Sequence, residues 1–236
     1  MPGADARAPA ASSGDSGRDT KHRLLDAAER LFSERGFEGT SMRAVAGEAG
    51  TSVSAANYHF GSKRALIETA LVRRLEPLNR QRLGALTAVE RAAHGAPVAI
   101  EALVEAFLRP GFEAGRQAGG NWAAYRQLAA KLYTDSHEAL TSVKVELFEP
   151  VIRRYIDALA RSLPDRSRDE LALDFQFLIG VMVHVISGHS HGEQDGVGDH
   201  AVPGEDLLRH MVCFTSAGLR AKPTAPAASP PDGEPT

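Results

Sequence analysis

The chain has a single cysteine, Cys213, in 236 residues. It can form no internal disulfide and no multi-cysteine zinc site, which suits a reducing cytoplasm. Aromatic residues amount to only 6%, and charge of neither sign dominates, the formal net charge being -3. A chain so nearly neutral cannot hold nucleic acid through overall charge, so any such contact must come from a local surface. Long hydrophobic runs are missing too. The most apolar stretch, Phe175 to Ser187, is too short to cross a bilayer, and the first residues, MPGADARAPAASSGDSG, contain no apolar signal core. Neither export nor a membrane role is expected. P-loop and GxGxxG patterns are absent, which leaves a nucleotide-dependent enzyme little to work with and implies no cofactor.

What is present is 43% hydrophobic residues, enough for a substantial core. They recur at three- and four-residue intervals between Pro and Gly breaks, with no alternating β-branched runs, so the expected fold is all-α. Residues 1–19 and the Pro-rich 222–236 carry too few large apolar side chains to repay ordering and are expected to be disordered tails. A first helix is expected from Thr20, with Leu24, Ala27, Ala28, Leu31 and Phe32 on one stripe, stopping at Gly36. A very short second helix follows Thr40 or Ser41 and ends at Gly50. Thr51 or Ser52 caps a third that runs to His59 or Phe60, and Ser62 caps a fourth.

Two short helices joined by a Gly-containing turn form a helix-turn-helix, whose second helix must bring its backbone close to the floor of the DNA major groove. Ser52, Ser54, Ala55 and Ala56 are small enough to allow that approach, while Tyr58, His59 and Lys63 reach toward phosphates. The unbroken string from Leu24 to Ile67, with AAERLFSERGF, TSMRAVAGEAG and YHFGSKRAL in order, resembles the N-terminal domain of the TetR family of bacterial transcriptional regulators. The NYHFGSK form resembles a subset that includes fatty-acid-responsive repressors. Asn57 and Ala56 depart from the tyrosine and larger aliphatic found in many members.

The resemblance implies a homodimeric, ligand-responsive repressor with a helix-turn-helix domain over 20–66 and a helical ligand-binding and dimerisation domain over 67–221. It places Ser41, Arg43, Tyr58, His59 and Lys63 on phosphates of a double-stranded operator, and Ser52, Val53, Ser54, Ala55 and Asn57 nearest the base edges. Residues 20–76 hold nine Lys or Arg against seven acids. So weakly basic a head calls for a dimer and a palindromic operator, with two reading helices roughly 34 to 36 Å or a related distance apart.

In the body, Pro77 is expected either to end the fourth helix or to bend it, the bend being what the resemblance favours. Helices are expected over Pro97–Leu108, from about Asn121, over Ser136–Leu163 as one bent or two separate pieces around Pro150, over Glu170–Ser190, and from Glu205 to Arg220. The helices at 151–163 and 171–187, bearing Val151, Ile152, Tyr155, Ile156, Leu159, Leu173, Phe177, Ile179, Val183 and Ile186, are the expected dimer bundle. Phe107, Trp122, Tyr125, Arg126, Tyr133, Phe148, Phe177 and His184 are the candidate walls of a site for a small hydrophobic effector with one polar or anionic end. A metal hydrolase is the rival reading of His184, His189, His191 and His200 with Glu193, Asp195 and Asp199. Against it, His184 and His189 miss the i, i+4 spacing of paired helical ligands, so no metal is expected.

Overall fold

The computed structural model describes residues 13–117, 128, 131–133, 135, 137–187 and 204–222. Among the described residues the chain folds as helices alone: α1 (Ser13–Gly39), α2 (Met42–Glu48), α3 (Val53–Phe60), α4 (Lys63–Ala92), α5 (Ile100–Gln117), α6 (Glu138–Ser162), α7 (Arg168–Ser187) and α8 (Gly204–Arg220). None of them is long and apolar enough to cross a membrane. The first helix begins at Ser13 rather than Thr20, because no proline interrupts 13–24 and Asp19 pairs with Arg23 one turn later at 3.3 Å. The tail expected over 1–19 is thus helical from 13 onward.

Local chemistry sets the head. The Oγ atoms of Ser41, Ser52 and Ser62 each accept the N–H of the residue three further on at 3.1 Å, closing the N-termini of α2, α3 and α4. Each such cap contributes about 1 kcal/mol. Gly50, at φ 60°, ends α2, with Thr51 N–H donating to Ala46 O at 2.9 Å and Gly50 N–H to Gly47 O at 3.1 Å. This is the left-handed closure that glycine adopts without a Cβ penalty. Leu24, Ala28, Leu31, Val45, Ala46, Ala56 and Leu66 form the head's own core.

A second, larger core fills the body from α4 to α8 and takes in Phe32 and Phe37 of α1. Three prolines lie inside its helices, and none ends one: α4 runs through Pro77, α5 through Pro110 and α6 through Pro150. A proline in a helix removes the N–H owed to the carbonyl four residues back, and its ring crowds that turn; in two of these turns α4 donates to the next carbonyl along. Arg82 Nε donates to Phe107 O at 3.1 Å, in the turn before Pro110, and Asn79 Nδ2 donates to Leu147 O at 2.6 Å, in the turn before Pro150. The break expected after Leu108 is therefore helix up to Gln117, and the Ser136–Leu163 stretch is one helix.

The expected dimer stripe divides. Val151, Tyr155, Ile156 and Leu159 are buried in the chain's own core, because α6 packs between α4, α5 and α7. They cannot also serve a partner. On α7 the inward positions are Leu171, Phe175, Leu178 and Met182, which leaves Leu173 and Phe177 on the outer face, 50% and 62% exposed. Phe214 of the neighbouring α8 is 69% exposed.

Candidate nucleic-acid interface and the interior of the body

Anchoring decides which face of α3 is offered. Ala56 is fully buried against α1 and α2, so its small size serves head packing and not approach to DNA, contrary to the sequence expectation. With that side inward, Ser52, Val53, Ser54, Asn57 and Tyr58 are exposed together, Tyr58 at 87%, and Ala55 is half-buried at their edge. His59 is half-buried with its ring against Tyr58, centroids 5.3 Å apart. Ser41 and Arg43 at the start of α2 are both exposed. Arg43 makes no ion pair among the described residues, whereas Arg30, Arg64, Arg73 and Arg74 are held by acids of the chain itself.

Lys63 departs from the expectation of a side chain reaching outward. Its ammonium donates to Phe37 O at 3.1 Å and lies 4.3 Å above the Phe37 ring. The carbonyls that close α1 draw a cation to that spot.

The same turn is where head meets body. Asp135 Oδ2 accepts the N–H of Phe37 at 2.9 Å, the His137 ring lies on that of Phe37 at 4.1 Å, and His137 Nε2 meets Glu38 Oε1 at 2.7 Å. Gly36 makes the contact possible: it sits at φ 72°, and a Cβ there would come within 2.9 Å of Asp135 Oδ2. Arg64 donates to Ser142 Oγ at 2.8 Å nearby. Partial burial works to raise the Asp135 pKa, but the N–H groups of Phe37 and His137 outweigh it and hold the carboxyl below its ordinary value.

Of the eight effector candidates, Phe107 and Phe148 are buried and Tyr133 is half-buried against Phe148 at 6.0 Å. Phe177 and His184 are exposed, because α7 turns its 175, 178 and 182 positions inward. Trp122, Tyr125 and Arg126 lie outside the described residues, as do His189, His191, Glu193, Asp195, Asp199 and His200. No group of metal-binding side chains occurs among the described residues.

The interior is centred on Arg82 of α4, for which the sequence raised no expectation, and on an aromatic trio. Arg82, only 2% exposed, stacks its guanidinium 4.2 Å from the Phe107 ring. Phe107, Tyr155 and Phe175 form a mutually packed trio, with centroids 4.8 to 6.0 Å apart. Tyr155 Oη donates to Arg82 O at 2.7 Å, and burial pushes the phenol pKa well above its ordinary value, so it remains a donor. The signal was legible: Leu75, Leu78, Asn79, Arg82 and Leu86 share one helical stripe, which placed two polar side chains on a buried face. Outside this interior, a groove of about 500 Å³ runs between α4 and α5 over Ala85, Val89, Ala102, Ala106 and Pro110.

Residues 24–70 match the family described as bacterial regulatory proteins, tetR family, and residues 105–218 match the tetracyclin repressor-like C-terminal domain. The chain is 34% identical over 104 residues to the HTH-type transcriptional repressor KstR of Rhodococcus jostii (strain RHA1), covering 39% of this chain and 49% of that protein. It is 40% identical over 67 residues to the HTH-type transcriptional regulator UidR of Escherichia coli (strain K12), covering 25% of this chain and 34% of that protein. The match thus spans about half, or less, of the length of these curated relatives. A TetR-like transcriptional regulator from Rhodococcus sp. RHA1 superposes with a TM-score of 0.54 at 21% identity, covering 90% of this chain and 100% of that one. A variant of HlyIIR gives 0.54 at 19% identity, covering 84% and 96%. These structures share the fold. With a matched helix-turn-helix head on a matched helical body, the chain belongs to the TetR family of bacterial transcriptional regulators.

Proposed function

We propose that this chain is a homodimeric, sequence-specific repressor that leaves a palindromic operator when a small, largely apolar effector enters its body. The observation that carries this is the face of α3, where Ser52, Val53, Ser54, Asn57 and Tyr58 stand exposed together on a helix anchored from behind by Ala56. Short hydroxyls and an amide suit base edges, and Tyr58 with the unpaired Arg43 suits phosphates. Membership of a family of regulators sets aside the hydrolase reading. Leu173, Phe177 and Phe214 support pairing of two chains through α7 and α8, since exposed aromatics grouped on adjacent helices mark an interface. A repressor of this kind would act in the cytoplasm, where its operator is.

Release requires that the effector favour a head spacing that misfits the operator, and a hundredfold preference corresponds to about 2.7 kcal/mol. The test is electrophoretic shift of the purified protein with DNA flanking its own gene, repeated with Ser54→Trp. Sequence-specific retardation by the native protein, lost in the variant while its helical content is kept, is the expected result. Absence of any specific retardation by the native protein overturns the reading.

A further inference from the structure

The described part of the body buries one full positive charge without a counter-ion. Arg82 is enclosed by α4, α5, α6 and α7, and its acceptors are all neutral: Phe107 O on Nε at 3.1 Å, Asn79 Oδ1 on Nη1 at 3.4 Å and Met182 Sδ on Nη2 at 3.4 Å. A guanidinium has five N–H donors. Only the Nε contact is a good one, since the Asn79 contact is long and a thioether is a weak acceptor. Glu90, whose charge is felt at Tyr155, is already shared by Arg154 and Arg161. The other buried arginine, Arg166, has Asp174 at 2.6 Å, so the chain does pair such a group where its role is structural. Burying an unpaired ion is costly, and an arriving anion recovers that cost.

We propose that Arg82 is the charge-selecting group of the effector site and that the effector carries a carboxylate. This rests on the ligand-responsive reading above. The two Nη atoms present the forked edge that a carboxylate fits with paired hydrogen bonds. Met182, unbranched and adaptable, is the side chain displaced. Phe107, Tyr155 and Phe175, packed on one another, are the apolar side chains next to the charge. Nε stays on Phe107 O beside Pro110, and Asn79, which turns its Oδ1 to Arg82, grips Leu147 O beside Pro150. Engaging the fork therefore acts on the turns before Pro110 and Pro150 and on α4, the helix that leads to the head.

The experiment compares submicellar sodium decanoate with 1-decanol, which matches its chain without the charge, by thermal shift. The native protein, Arg82→Met and Met182→Glu are compared, with helicity checked by circular dichroism. Decanoate is expected to raise the midpoint of the native protein and decanol to leave it unchanged. Arg82→Met should weaken decanoate binding roughly ten- to hundredfold, the effect of losing hydrogen bonds to a charged group. Met182→Glu keeps Arg82 and supplies an internal carboxylate, so the midpoint without ligand should rise and the decanoate response should vanish. Equal responses to acid and alcohol, no response to either, or an undiminished decanoate response in a folded variant overturns the proposal. Operator retardation by the ligand-free protein is scored separately, so failure of the repressor reading is distinguishable from failure of the charge assignment.

Discussion

Gly36 and Asp135 occupy adjoining space that admits no side chain between them. At φ 72° and ψ -173°, Gly36 lies where essentially only glycine is found. Gly36→Ala should cost roughly 1–3 kcal/mol from backbone strain, before any displacement of Asp135, read as a lower urea midpoint at constant slope. Asp135 adds a pH signature. Its folded pKa is lowered, so the stability it contributes is present above the unfolded value and is lost as pH falls through the folded one. Native protein and Asp135→Asn should therefore differ in stability at neutral pH and converge on acidification below about pH 4, the ordinary aspartate range. A difference that persists at acid pH would mean that the carboxylate charge is not what holds the turn. Lys63→Met separates two roles in one residue. Losing the bond to Phe37 O should cost about 1 kcal/mol. If the ammonium also swings to a phosphate, affinity for all DNA sequences should fall alike and the salt slope should shrink by about one.

Elements in the body depend on donors supplied from a distance. Asn79→Ala should cost about 1–3 kcal/mol by stranding the Leu147 carbonyl. In a Pro150→Ala background, where loss of the ring lets the turn close normally and Val151 N–H reach Leu147 O, the penalty should be smaller by a coupling of about 0.5–3 kcal/mol. Additive losses in urea denaturation of the double variant would show that the two features are unrelated. This dependence also explains where sequence reading succeeded. Ser41, Ser52, Ser62 and Gly50 act within a few residues of themselves, so the head's helix ends and its turn could be read locally. Pro110 reads as a break, and Pro150 as either a bend or a break, because Arg82 and Asn79, which bond the turns before them, are far away in sequence. Phe177 and His184 read from sequence as effector walls, and Phe177 also as part of the dimer stripe, because α7 is apolar almost all round and periodicity cannot then tell a face toward the core from one awaiting a second chain. Ala56 was assigned to the wrong neighbour for the same reason: smallness shows that something comes close but not what.

At the scale of the whole molecule, head and body have two cores joined through α4, through Phe32 and Phe37 of α1, which lie in the body's core, and through the Asp135 contact. α8 is fastened to α5 near both ends, by Arg109 with Glu205 at 2.7 Å and by Arg220 with Glu101. The middle of α8, with Phe214, is thus presented on a firm support. Phe177→Glu combined with Phe214→Glu should convert a dimer to a monomer in analytical ultracentrifugation with little change in helicity, each buried aromatic being worth about 1.5–3 kcal/mol. An unchanged sedimentation coefficient would assign pairing to another surface. The division between head and body has a genetic consequence. The side chains proposed to read DNA and those proposed to join the chains have no residue in common, so a copy damaged at Ser54 still exchanges into pairs with intact copies. Each such mixed pair carries one working reader for a two-sided operator. In a cell expressing both copies, the damaged allele should be dominant, and adding Phe177→Glu and Phe214→Glu to that same allele should render it recessive.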